Sequence, residues 1–152
     1  MKKSFRGLLA DGAQERIRLS TNNGLTGYKI IKFLAFPAGS TSNFSYESFI
    51  QLFSTERDSV PGDGVPDFDD PTLLAAAYYT QSASGATNPE DLTVVFDTKV
   101  INQDVFITHS NSEGSSAINF YIELEQVKLS KDEATVATLK DMRAGPDTNF
   151  GP

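Results

Sequence analysis

The chain has 152 residues and a formal net charge of −7 at neutral pH, with no Cys, no Trp and a single His. That length allows one domain whose core needs no covalent staples, and the lack of Cys excludes disulfides, thiolate nucleophiles and Cys-ligated zinc. An acidic total repels phosphate, which argues against nucleic acid as a partner, and no apolar run is long enough to span a bilayer, which argues against a membrane.

Residues 1–14 read as an N-terminal arm. Lys2, Lys3 and Arg6 imitate the opening of a signal peptide, but Gly7 to Ala10 is interrupted by Asp11, so the apolar run is far too short and export by that route is not expected. Phe5, Leu8 and Leu9 have the spacing of one helical face, so the arm is either a short amphipathic segment or an extended lead, pinned on its own domain or docked on another subunit. Residues 15–20, ERIRLS, alternate as a short strand and end at Thr21-Asn22-Asn23-Gly24, whose Asn-Gly pair favours a tight reversal. Residues 28–36, YKIIKFLAF, are nearly continuous in apolar character and read as a strand central in its sheet. Residues 48–54, SFIQLFS, form the next strand.

Residues 55–71 are loop, with three Pro, two Gly and five Asp. Asp63, Asp67 and Asp69 raise the question of calcium, but the EF-hand order of ligands is absent and a solvated acidic turn is the expectation. Residues 72–80, 92–96 and 105–108 are apolar or β-branched runs between polar turns. In residues 118–124, Ile118, Phe120, Ile122 and Leu124 alternate with Asn119, Tyr121 and Glu123, the period of a half-buried strand. Ser130-Lys131-Asp132-Glu133 is a capping box that starts a helix over 131–143. Its apolar positions, Ala134, Val136, Ala137, Leu139 and Met142, are few and small, so the helix is a bracket on a β-domain spanning 15–143. Residues 144–152 are a tail. The sum is a mainly β fold, a two-sheet antiparallel sandwich of jelly-roll-like type with seven to eight strands and one C-terminal helix.

No catalytic constellation emerges. His109 ends a strand without a nucleophile elbow near it and reads as structural or as a surface residue. Glu123 and Glu125 share a strand face but no spacing singles out a carboxylate pair. No cofactor, metal or catalytic residue is therefore expected, and the chain is not expected to be an enzyme. The charge is unevenly spread: residues 1–33 carry seven Lys/Arg against two acids, a net of +5, whereas residues 34–98 carry one Arg against ten acids, a net of −9. Such a split suits docking on an oppositely charged copy or partner.

The segments GLTGYKIIKF (24–33), DDPTLLAAAYY (69–79), VFDTKVINQDVFITHS (95–110), NFYIELEQVKL (119–129) and DEATVATLKDMR (132–143) resemble a family of small proteins encoded by marine tailed bacteriophages. The resemblance implies a β-sandwich component of the virion, a capsid decoration or cement protein on the capsid surface. It supplies no catalytic residues, and residues 1–14 and 55–68 fall outside it. The expected partner is the major capsid protein or another virion protein, and the expected state is a homo-oligomer, a trimer. The expected contacts are Phe5, Leu8 and Leu9 of the arm, Phe150 of the tail, and Lys2, Lys3 and Arg6 against acidic surface. A tail, adaptor or fibre component, and a carbohydrate-binding sandwich using Tyr78 or Tyr121, are the rival expectations.

Overall fold

A computed structural model of the chain describes residues 1–21, 24–38, 46–60, 65–81, 90–112 and 116–143. Among them are eight strands, β1 (Lys2–Leu9), β2 (Gln14–Ile17), β3 (Thr26–Pro37), β4 (Tyr46–Phe53), β5 (Leu73–Gln81), β6 (Glu90–Phe96), β7 (Val105–Asn111) and β8 (Ile118–Lys128), followed by one helix, α1 (Lys131–Arg143). They make a three-stranded sheet in the order β1-β8-β3 and a five-stranded sheet in the order β2-β7-β4-β5-β6. Every strand pair is antiparallel.

The pairing is nested, first strand with last, second with second-to-last, and β4 with β5, as when one long hairpin is rolled across two sheets. This is jelly-roll order. Its one departure is β6, which packs beside β3 but takes its ladder from β5. The inner faces of both sheets share one core, to which β8 contributes Ile118, Phe120, Ile122 and Leu124 and the larger sheet Ile50, Leu52, Ala75, Ala77 and Ile107.

Two sequence expectations are corrected. The domain boundary at residue 15 is the first, for of the alternatives the extended lead pinned on its own domain is the one that holds: residues 2–9 are β1, paired along their whole length with β8 from Lys2 opposite Glu125 to Leu9 opposite Ile118. In an extended chain Phe5 and Leu9 face inward and Leu8 outward, so the three do not share a face. The inward position between them is Gly7, and a Cβ there would meet the Phe120 ring at 2.8 Å, so that ring occupies the space a side chain would need. The second correction concerns β3, which lies at the edge of its sheet rather than at its centre. A bulge between Ile30 and Lys32 resets its alternation, so Lys29 and Lys32 both point outward although three residues apart. Beyond β8, its ladder is met by an isolated bridge between Tyr28 and Ile101.

The helix starts as its capping box requires: the Glu133 N–H donates to Ser130 Oγ at 3.2 Å, and the Ser130 N–H donates to Glu133 Oε1 at 3.1 Å. The Ser130 N–H first, and then its hydroxyl, hold the Glu133 carboxyl below its usual range. Ala134 and Ala137 are buried against Leu129, Leu25, Val100 and Val127, closing the end of the smaller sheet. Val136 and Leu139 are exposed instead of adding to that stripe, and the Met142 side chain lies outside the described residues. Close approach is possible because position 27 is Gly, where a Cβ would meet Val100 at 2.6 Å. Asn102 locks the bracket: its buried Nδ2 donates to the Gly24 carbonyl at 3.1 Å, the Ala134 carbonyl at 3.2 Å and Thr138 Oγ1 at 2.8 Å.

Asn102→Ala should cost about 2 kcal/mol, the scale of a lost buried polar junction. Hydrogen exchange should then lose protection in α1 and around Gly24 while β4 and β7 keep theirs. Equal loss in all elements would mean that Asn102 supports the whole sandwich rather than the bracket.

Candidate functional site

Alternation along the strands gives each sheet an inner and an outer face, and the two outer faces differ. On the larger sheet, Gln51, Phe53, Phe106 and Thr108 point away from the core yet are buried. Part of their cover is the loop after β4. Arg57 lies across the Phe53 ring at 4.2 Å, its backbone N–H and carbonyl are held by the Gln14 amide at 2.9 and 3.0 Å, and its guanidinium reaches Asp70 at 2.9 Å and Thr72 Oγ1 at 3.0 Å. The start of the acidic loop is thereby strapped to β2 and to the residues that lead into β5.

The outer face of the smaller sheet is open. β1 presents Lys2, Arg6 and Leu8, β8 presents Asn119, Tyr121, Glu123 and Glu125, and β3 presents Lys29, Lys32, Leu34 and Phe36. Pairing sets these in rows. At one end, Lys2 and Lys29 flank Glu125, with Lys32 beside Glu123. Lys2 Nζ lies 3.8 Å from Glu123, whose other contact is the Tyr121 hydroxyl, donating at 3.1 Å. Exposed pairs of this kind contribute little to stability and leave their charges available. At the other end, Leu8, Leu34, Phe36 and Tyr121 line a shallow groove with Arg6 on its rim. Leu8 is 58% exposed and Phe36 55%. Cations at one end and uncovered aliphatic and aromatic side chains at the other are the features that recognition surfaces use.

Of the contacts expected from sequence, Lys2, Arg6 and Leu8 come together on this face. Phe5 is half-buried and Leu9 buried, both packed in the core. Lys3 points to the other side, its Nζ 3.5 Å from the Tyr28 hydroxyl and 5.7 Å from the ring centroid. Phe150 lies outside the described residues. Lys29, Lys32, Leu34 and Phe36 were missed, because their convergence with Arg6 and Leu8 depends on both strands flanking β8.

The other candidates resolve into structure. His109 is buried on the inner face of β7. Its Nδ1 faces the carbonyls of Leu9 at 3.1 Å and Ala10 at 3.3 Å, which can only accept, so Nδ1 carries the hydrogen and Nε2 accepts from the Ser48 hydroxyl at 3.1 Å. The ring therefore ties β4, β7 and the end of β1 together, across both sheets. Burial lowers its pKa against the opposing pull of the Ala10 and Leu9 carbonyls and of Asp11. Tyr78 stacks on Phe49 with ring centroids 4.7 Å apart and donates to Glu47 at 3.0 Å, and Ser112 donates to the other oxygen of Glu47. Of the loop aspartates, Asp63 lies outside the described residues, Asp67 Oδ1 accepts the Asp69 N–H at 3.0 Å, and Asp70 is engaged by Arg57 and Thr72. No group of three or more His, Asp or Glu among the described residues is placed to hold a metal ion. Asp104, just before β7, ties that strand's start to β2 and the β2–β3 connection: burial by itself raises its pKa, but the N–H groups of Ser20 and Leu19, the Ser20 hydroxyl and Arg16 at 3.0 Å together hold it below the usual value.

No family model matches the chain, and no curated protein matches it. Among solved structures it is similar to the VP1 protein of Trichodysplasia spinulosa-associated polyomavirus in complex with 3'-sialyllactose, at 8% identity and a TM-score of 0.44 over 82% of this chain and 93% of that one. It is similar to Merkel cell polyomavirus VP1 in complex with GD1a oligosaccharide, at 7% identity and a TM-score of 0.43 over 82% of this chain and 94% of that one. A pilus protein of Bacillus endospore appendages is similar at 7% identity and a TM-score of 0.35 over 86% of this chain and 88% of that one.

The His109 environment has a pH signature. The unfolded chain takes up the imidazole proton near pH 6.5, whereas the folded chain does so only at a lower pH, so between the two the unfolded state holds more protons and stability rises with pH. This contribution is complete above about pH 6.5 and is lost as the pH falls below it, at no more than about 1.4 kcal/mol per pH unit. Denaturant titrations of wild type and His109→Gln at pH 5 and 7.5 measure it. The wild type should lose more stability on acidification than the variant, and parallel losses would show that the ring is protonated in the fold.

Proposed function

We propose that the protein is a non-enzymatic structural component of a virion, a decoration or cement protein that binds the capsid surface as a homo-oligomer, a trimer. The observation that carries this reading is the open outer face of the three-stranded sheet, with its cations at one end and its apolar groove at the other. The larger sheet buries Gln51, Phe53, Phe106 and Thr108 on its outer face along β4 and β7, whereas the smaller sheet leaves its outer face open. The resemblance of five segments to phage virion proteins supports the place of action. The mechanism is multivalent attachment: each copy makes modest contacts with the major capsid protein, and linkage within the oligomer raises the effective concentration of the remaining contacts. Lys2 and Lys29 meet acidic lattice surface.

Residues 1–14 are the wrong segment to delete as a test. Their removal takes away β1, with buried Leu9 and half-buried Phe5, so a loss of binding would report unfolding rather than a lost anchor. The charge variant Lys2→Glu/Lys29→Glu leaves the core intact. Mass measurement of purified particles should find on the order of hundreds of wild-type copies per virion, with the variant reduced severalfold and most sharply at raised salt. A count of only a few to tens would move the protein to an adaptor, tail or fibre. Particles without it, together with glycan binding lost on Tyr121→Ala, would replace the reading by a carbohydrate-binding one.

A further inference from the structure

A second apolar patch lies away from the open face, where the strapped loop meets the end of β6. Phe68 stands beside Val95 and Phe96, all three exposed, with Asp97 next to them. At 72% exposure Phe68 is the most exposed aromatic residue described. It is nevertheless held in place. The turn 67–70 is closed by the Asp70 N–H donating to the Asp67 carbonyl at 3.1 Å, and the Asp69 N–H donates to the Asp67 carboxylate at 3.0 Å. Behind it, Asp70 is clamped by Arg57 at 2.9 Å and by the Thr72 N–H at 2.8 Å. A large apolar side chain displayed on an immobilised turn loses little freedom on binding, which is the condition for an interface anchor.

The two patches are opposite in sign. Phe68 is flanked by Asp67 and Asp69, both exposed, whereas the groove between Leu8 and Phe36 has Arg6 on its rim and Lys32 on the same strand face. We infer that the chain associates head to tail with a second copy of itself: Phe68 of one copy seats between Leu8 and Phe36 of the next, with Asp67 and Asp69 against Arg6 and Lys32. Knob and groove lie on different surfaces, so the contact is heterologous, and each copy keeps one free knob and one free groove until a ring closes. This deepens the proposed function by naming the contact that makes the oligomer, and it leaves Lys2 and Lys29 for the lattice.

Sedimentation of the full chain tests it. Wild type should form a closed oligomer below about 100 µM, in the micromolar range of modest interfaces. Phe68→Asp and Leu8→Glu, both at exposed positions, should each be monomeric while still unfolding cooperatively, with a melting temperature that no longer depends on protein concentration, the contact weakened by at least about 30-fold. Mixed, the two variants should give a one-to-one dimer that grows no further, because only one intact knob and one intact groove remain. Wild type that stays monomeric, a variant that keeps the oligomer, or a mixture that regains wild-type size would overturn the inference. A monomeric wild type that still coats particles would sink the ring alone, whereas an intact ring that binds no particle would sink the proposed function alone.

Discussion

A three-stranded sheet has one interior strand, and here that strand is β8. Both edges of β8 are taken, by β1 and by β3, so every inward residue of the smaller sheet is placed by its register against Ile118, Phe120, Ile122 and Leu124. A slip of one residue would turn those four side chains to solvent and bring Tyr121 and Glu123 into the core. The same constraint sets the outer face. The cations of β1 and β3 stand on either side of Glu123 and Glu125 because the chain threads the acidic strand between two basic ones.

That central strand was legible in the sequence because its alternation is uninterrupted, and the start of α1 was legible because Ser130 and Glu133 are a local device whose partners lie three residues apart. β1 was not. Its inward positions are Phe5, Gly7 and Leu9, and the glycine, imposed by the Phe120 ring, erases the middle beat of the pattern. What remains, Phe5 with Leu8 and Leu9, fits a helix equally well. β3 was recognised as a strand but misplaced within its sheet. The bulge at Ile31 breaks the alternation of its lysines, so a strand with a wet outer face reads as one buried on both sides.

The site divides the same way. Charge asymmetry along the chain could be counted, but the rows in which the charges stand depend on pairings between residues about a hundred positions apart. Polar residues in the interior were harder still. His109 and Asn102 each join elements distant in sequence, through carbonyls and hydroxyls that carry no residue-type signature. Each sits in a run that reads only as strand or loop. Their roles follow from where the backbone leaves acceptors and donors to be satisfied.

The nested pairing also bears on how the protein is made. Among the described residues β1 takes its ladder from β8 alone, so the basic Lys2–Leu9 segment emerges from the ribosome more than a hundred residues before its partner. Non-local pairing of this kind folds slowly, and an unpaired strand awaiting its mate is a hazard for misassociation between nascent chains. Lysines at positions 2 and 3 and arginine at 6 put like charge on such a waiting strand, and like charge disfavours the pairing of one unpaired edge with another.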